Sequence, residues 1–158
     1  MSGLESSTVR PARPDDVPVL RALLEELHEA PPWRDDDQAR TALASLQQMD
    51  GRHLLVAEVD SVVAGTLDLT VIPNLTRDLS PYGLLENIVV ARTLRRRGAG
   101  RALIEEAAEI ATAAGCYKLQ LISAASREAA HNLYAATGFV AAVNGYRRYL
   151  RDVPHAGA

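Results

Sequence analysis

The stretch around residues 84–114 constrains this chain more than any other. Residues 84–91 are mostly apolar and strand-like. The chain then reads Arg-Thr-Leu-Arg-Arg-Arg-Gly-Ala-Gly-Arg over residues 92–101, with five arginines and no acid. Beyond it Leu103, Ala107, Ile110 and Ala114 recur at helical spacing, and Gly115 follows as a helix stop. A strand that feeds an arginine- and glycine-rich loop into a helix builds an anion site. The first-turn N–H groups have no partner inside the helix. The helix dipole adds partial positive charge at that end. Gly98 and Gly100 carry no side chain, so a ligand can approach the backbone. Together these features make a pyrophosphate cradle, with arginines adding charge-assisted contacts at its rim. Two other phosphate loops fit less well. A Walker A loop needs Lys-Ser/Thr after its last glycine, and Gly100 is followed by Arg101-Ala102. A dinucleotide fingerprint needs three glycines and an acid about 20 positions later, where this chain has Gln120. The plain alternative is a glycine turn with solvated arginines.

The remainder of the 158 residues reads as one domain, 1–158. Residues 8–12 are short and β-like. Pro14 and then Asp15 or Asp16 can start a helix over 15–30, since a carboxylate there accepts first-turn N–H groups. Val17, Leu20, Leu24 and Leu27 form its apolar stripe. A second helix is expected over 35–49. The period then changes to that of strands at 53–59 and 62–72, joined by a tight reversal at 59–62. In the second strand Leu67, Leu69 and Val71 alternate with Thr66, Asp68 and Thr70, as in a half-buried strand. A strand at 118–122 follows the helix over 98–114. Ser126 can N-cap a further helix ending at Gly138. Two last strands, 139–143 and 146–150, flank Asn144-Gly145, a strong hairpin dipeptide. The order β-α-α-β-β-β-α-β-α-β-β is an α/β chain with a mixed sheet, not a doubly wound parallel one.

Several function classes fall away. Apolar runs are far shorter than the roughly 20 residues that span a membrane, and the first ten residues lack the apolar stretch of a signal peptide. A single cysteine, Cys116, excludes an internal disulfide and argues against a cysteine-built metal site. His28, His53, His131 and His155 show no metal-ligand spacing. The net charge of −3 disfavours nucleic acid. The expectation is a cytoplasmic protein with no metal, membrane or nucleic-acid partner. Its concentrated cationic loop suits a small anion.

Val89-Val90 followed by Arg95-x-x-Gly-x-Gly and Leu103 resembles the acyl-CoA motif of the GNAT N-acetyltransferases. A second segment, from Ala130 to Tyr134 and on to Gly138-Phe139, resembles the family's A-x-x-(L/F)-Y-x-x-x-G-F signature. One helix and one strand separate the two, as in the family, and the opening from Val9 to Asp16 is also similar. The resemblance implies a twisted mixed sheet of about seven strands with four helices, splayed between the fourth and fifth strands. Acetyl-CoA, the cosubstrate, would enter that splay. Its pantetheine arm would pair with the backbone of Ile88, Val89 and Val90. Its pyrophosphate would sit on the amides of Arg96, Arg97, Gly98, Ala99, Gly100 and Arg101, with Arg95 at the rim.

The implied reaction is direct acetyl transfer to a primary amine. Tyr134 would protonate the leaving thiolate, and Glu86, expected on one strand face with Ile88 and Val90, would take the amine proton through a water. A carboxylate among Leu84, Leu85 and Ile88 would be partly desolvated, which raises its affinity for protons; a surface role for Glu86 and a packing role for Tyr134 are the alternatives. Many family members carry an asparagine four or seven residues before the tyrosine; here those positions hold Ala130 and Arg127. Glu86 to Val90 and Gly115 to Lys118 are also similar to glucosamine-6-phosphate N-acetyltransferases, which hints at an amino sugar. Trp33, Asn74, Arg77 and Tyr146 are candidate acceptor contacts. The competing readings are a protein or peptide N-acetyltransferase and an inactive CoA-binding sensor. An apolar terminal hairpin implies a homodimer.

Overall fold

The computed structural model describes residues 7–151. In chain order the elements are β1 Thr8–Pro11, α1 Val17–His28, α2 Asp36–Gln47, β2 Arg52–Val59, β3 Val62–Ile72, β4 Tyr82–Val90, α3 Ala99–Ala113, β5 Leu119–Gln120 and α4 Glu128–Ala136. Short 3-10 turns, Pro14–Asp16 and Arg92–Leu94, lead into α1 and lie ahead of α3. The sheet order follows the sequence, β1-β2-β3-β4-β5. The first four strands are antiparallel neighbours, and β5 joins β4 in parallel after the α3 crossover.

Alternation along β2 separates two apolar layers. Leu55, Ala57 and Val59 pack with Leu67, Leu69, Leu85, Leu103, Ile104 and Ala107, which places α3 on one sheet face. Leu54 and Val56 turn to the opposite face, where Val17, Leu20 and Leu43 bring in α1 and α2. With helices on both sides, β3 is covered on both faces. Thr66 and Asp68 are therefore buried, not solvated as their alternation with leucines implied. Thr66 donates its hydroxyl proton to the Leu55 carbonyl at 2.8 Å, and Arg52 forks onto Asp68 at 3.0 and 2.5 Å. Burial pushes the Asp68 carboxyl up, and the Arg52 contacts oppose that shift.

The β2–β3 reversal is tight without Asn-Gly because Asp60 and Ser61 both adopt positive φ, 50° and 65°. Asp35 caps α2, accepting from the amides of Asp37 and Gln38. Asp16 does not cap α1 in the expected way. Its carboxylate turns back to the Arg13 amide at 2.6 Å and to the Arg10 guanidinium at 2.7 Å. Nor does Ser126 cap α4, whose N-cap position is Arg127.

Five strands form among the described residues, where seven were expected. Residues 139–143 and 146–150 form none. Neither Asn144 nor Gly145 has the positive φ that a type I′ hairpin turn requires. The neighbouring strand β5 is only two residues long and offers little edge to pair with. The segment still passes close to the chain just after β5, since a Cβ on Gly145 would lie 3.3 Å from Ile122 Cγ2. Val140, Val143 and Leu150 are more than four-fifths exposed.

Candidate active site

β4 and β5 pair only at Gly83–Leu119 and Leu84–Gln120. Beyond those two rungs the rest of β4 pairs with no strand on that side among the described residues, which is the expected splay. A bulge then re-aims β4. Thr66 faces Val89 and Asp68 faces Glu86, so Asn87 and Ile88 share one position opposite Leu67. Asn87 takes a left-handed φ of 53°. The extra residue inverts the alternation. Leu85 and Ile88 both join the α3-side core, and Val90 packs against it. Glu86 thus does not share a face with Ile88 and Val90. It is exposed, not desolvated.

The opening is lined by backbone. The Ile88 carbonyl accepts from Arg127 Nη2 at 3.4 Å, and the Val90 carbonyl accepts from Arg95 Nε at 3.3 Å. The Ala91 amide bonds to Ala64 on the opposite side. By alternation Val89 turns its polar groups toward β3, so Ile88 and Val90 are the residues whose main chain faces the cleft.

At one end of the cleft lies the N-terminus of α3. Gly98 is its N-cap at φ 87°, a left-handed value that favours glycine. The first helical bond runs from the Ala102 amide to the Gly98 carbonyl, which leaves the amides of Ala99, Gly100 and Arg101 without a helical acceptor. A Cβ on Gly98 would approach only Ser7 Oγ, at 3.3 Å. Gly100 has a different reason to be glycine. Its Cβ would lie 2.8 Å from Leu133 Cδ2, so it serves the packing of α3 on α4. Arg97 is tied to Asp60 in the β2–β3 turn, and Arg101 lies 3.8 Å from Glu105. Arg96, at φ 65°, and Arg95 are exposed beside the cradle. Unpaired amides, a helix N-terminus and flanking guanidinium groups fit a pyrophosphate-bearing donor.

On α4, Tyr134 is 7% exposed and set edge-on to Phe139 with ring centroids 6.0 Å apart. Gly138, at φ 89°, lets the chain reverse after α4, and the Phe139 amide returns to the Tyr134 carbonyl at 2.9 Å. Burial pushes the phenol up, while Arg127 and the Ser123 hydroxyl pull it down. Ser123 Oγ is buried near the phenol without a hydrogen bond of good distance and angle. Sequence reasoning assigned no role to Arg127 or Ser123; the seven-residue spacing from Arg127 to Tyr134, two helical turns, was the available signal. Three of the four candidate acceptor contacts have partners close by in the chain or on its surface. Trp33 bonds to Asp36, Asn74 braces its own loop through Thr76 and Ser80, Arg77 lies over Tyr117, and Tyr146 is exposed.

A mixed sheet that parts beside a cationic helix N-terminus, with a buried phenol on the following helix, is the arrangement that the resemblance to acetyltransferases implied. The profile of the Acetyltransferase (GNAT) family matches residues 20–139. A glucosamine 6-phosphate N-acetyltransferase of Trypanosoma brucei brucei is 30% identical over 128 residues, covering 78% of this chain and 84% of that protein. A solved acetyltransferase of Trypanosoma brucei superposes with a TM-score of 0.78 at 28% identity, over 92% of this chain and all of that one. An aminoglycoside N-acetyltransferase solved with CoA shares the fold at a TM-score of 0.72 and 24% identity, over 90% and 95% of the two chains. The chain belongs to the GNAT family and is an N-acetyltransferase. The acetyl donor of that family is acetyl-CoA.

Proposed function

We propose that the enzyme moves the acetyl group of acetyl-CoA directly to the primary amine of a small molecule, an amino sugar being the favoured acceptor class. One observation carries the first part: β4 and β5 part after two rungs beside the Gly98 helix N-terminus, with the carbonyls of Ile88 and Val90 facing the gap. The amino-sugar reading rests on the 30% identity to the trypanosomal glucosamine 6-phosphate enzyme. In this reading Ile88 and Val90 hold the pantetheine as an added strand, with Val89 between them. The amides from Arg96 to Arg101 hold the pyrophosphate, and Arg95 and Arg96 neutralise its charge. A neutral amine attacks the thioester carbon and a C–N bond forms. Its surplus proton leaves to water, relayed to Glu86, which lies on the other face of the bulged strand. The C–S bond then breaks and the sulfur takes the Tyr134 proton, which solvent restores. An acceptor screen with acetyl-CoA, read as free thiol, tests the reading. Turnover with glucosamine 6-phosphate or related amino sugars is expected. Turnover with peptide amines alone moves the enzyme to the protein-acetylating class, and no turnover with any amine makes it a CoA sensor.

The cradle has its own test. Gly98→Val forces a β-branched residue into a left-handed backbone, a strain of about 1–2 kcal/mol. The helix entrance relaxes and the amides lose their aim. Acetyl-CoA affinity is expected to fall about tenfold or more in calorimetry. Unchanged affinity in a folded Gly98→Val protein moves the pyrophosphate elsewhere. Gly100→Val is unsuited to this purpose, because it strikes Leu133 and tests packing.

We further propose a cytoplasmic homodimer. The apolar residues of the 139–150 segment face solvent with a two-residue strand beside them, and a second copy would cover them. Light scattering is expected to give twice the chain mass of 17.1 kDa. A monomer mass at micromolar concentration refutes the pairing.

A further inference from the structure

Arg127 stands apart from the other cleft arginines. Arg97 has Asp60 and Arg101 has Glu105, whereas no carboxylate pairs with Arg127 among the described residues. Arg127 is nonetheless half-buried, at the mouth of α4. Its one side-chain hydrogen bond among the described residues runs to a backbone carbonyl, that of Ile88 at 3.4 Å. A half-buried cation with no counter-ion is a ready partner for a negative charge that arrives. Two more observations point to the same spot. Arg127 is the N-cap of α4, and Tyr134 follows it by seven residues, about two turns along the helix. Ser123, in the segment that leads into α4, buries a hydroxyl with no partner beside that phenol.

We propose that Arg127, with Ser123, is a positioning residue that holds the Tyr134 hydroxyl toward the departing sulfur and stabilises the negative charge left when its proton goes. The proposal rests on Tyr134 being the acid of the reading above. As the thioester C–S bond breaks, the bonding pair goes to sulfur, and sulfur takes the Tyr134 proton. The phenolate then faces the Arg127 guanidinium and can accept the Ser123 O–H until water reprotonates it. In a dry cleft a nearby fixed cation is worth far more than in solvent. Burial raises the phenol most, and Arg127 and Ser123 act against that rise. Glu128 on α4 and Glu86 on β4 are exposed, and His131 is half-buried one turn before Tyr134.

The test uses full-length protein labelled with 13Cζ-tyrosine, with the Tyr134 resonance assigned from the Tyr134→Phe spectrum. Parent, Arg127→Gln and Arg127→Lys are titrated over the same alkaline range, and kcat is measured for each. The Tyr134 resonance of Arg127→Gln is expected to begin titrating at higher pH than the parent, with a fall in kcat. Arg127→Lys keeps the charge and is expected to lie nearer the parent on both measures. Tyr134 titrating alike in parent and Arg127→Gln overturns the proposal, whatever the activity does. So does a shifted resonance with unchanged kcat, since the charge then fails to reach the reaction. Ser123→Ala, which removes only a hydroxyl, gives the same upward shift if the glutamine variant does not fold, and an unshifted resonance there overturns the proposal equally. The acid role itself fails by another route, through full activity of Tyr134→Phe.

Discussion

Tyr134→Phe is expected to lower kcat by about 10²–10⁴, the usual cost of losing a general acid, with acetyl-CoA affinity near the parent's. The ring stays. It is buried against Phe139 and beside Ser123, and phenylalanine keeps that packing. What goes is the proton. A phenol titrates near 10 in water and a thiol near 8.5, and burial raises the Tyr134 phenol further. The group is therefore protonated at neutral pH and always available as a donor. Full transfer to sulfur is uphill on these values. A hydrogen bond to the developing thiolate, which strengthens as the C–S bond opens, supplies part of the benefit, and the Arg127 guanidinium proposed to face the phenolate offsets the cost of completing the transfer. A single-turnover assay isolates that step from product release. If the variant stays within about threefold of the parent there, Tyr134 is a packing residue and the sulfur leaves without it.

The parts of this site that could be read from sequence are those built by neighbours in the chain. A strand, a loop with Gly98, and a helix are local, and their periods and turn residues announce them. The same holds for Asp35 at the start of α2 and Gly138 after α4, where one residue supplies one cap or one reversal. What escaped reading depends on residues far apart. The bulge at Asn87 has no glycine to mark it, because asparagine tolerates the left-handed region. One extra residue in β4 was enough to put Glu86 on the opposite face from Ile88. Thr66 and Asp68 looked solvated because alternation shows which residues share a face, not whether a second helix layer covers the other one. The Asn144-Gly145 pair predicted a hairpin from its own propensity. A hairpin also needs an edge to join, and β5 ends after two residues. Arg127 escaped for a related reason: its significance lies in the Ile88 carbonyl, 39 residues away.

Asp16→Ala is expected to destabilise the fold by about 3 kcal/mol. The Arg10 guanidinium forks onto both oxygens of Asp16, at 2.7 and 3.0 Å, and reaches Glu58 on β2 at 2.7 Å. The cluster pins the entrance of α1 to β1 and β2, and with it the helix that lies along β4. The Asp16 side chain is only 8% exposed and that of Arg10 19%. Removing the acid leaves a largely buried cation with half its partners and frees the Arg13 amide that Asp16 accepts. Glu58 remains, which keeps the loss at the low end of the range for a broken buried pair. The pH dependence gives a second readout. Arg10 holds the Asp16 carboxyl below its ordinary value, with burial opposing. A depressed acid binds fewer protons folded than unfolded, so its contribution is complete above the unfolded value of about 3.9 and is lost as pH falls through the folded one. The urea midpoint of the parent is thus expected to fall below about pH 5 more steeply than that of Asp16→Ala, whose deficit shrinks as the medium becomes acidic. A deficit that stays constant from pH 7 to pH 3 would mean that Asp16 acts through shape and its amide bond, and that the ion pair contributes nothing to stability.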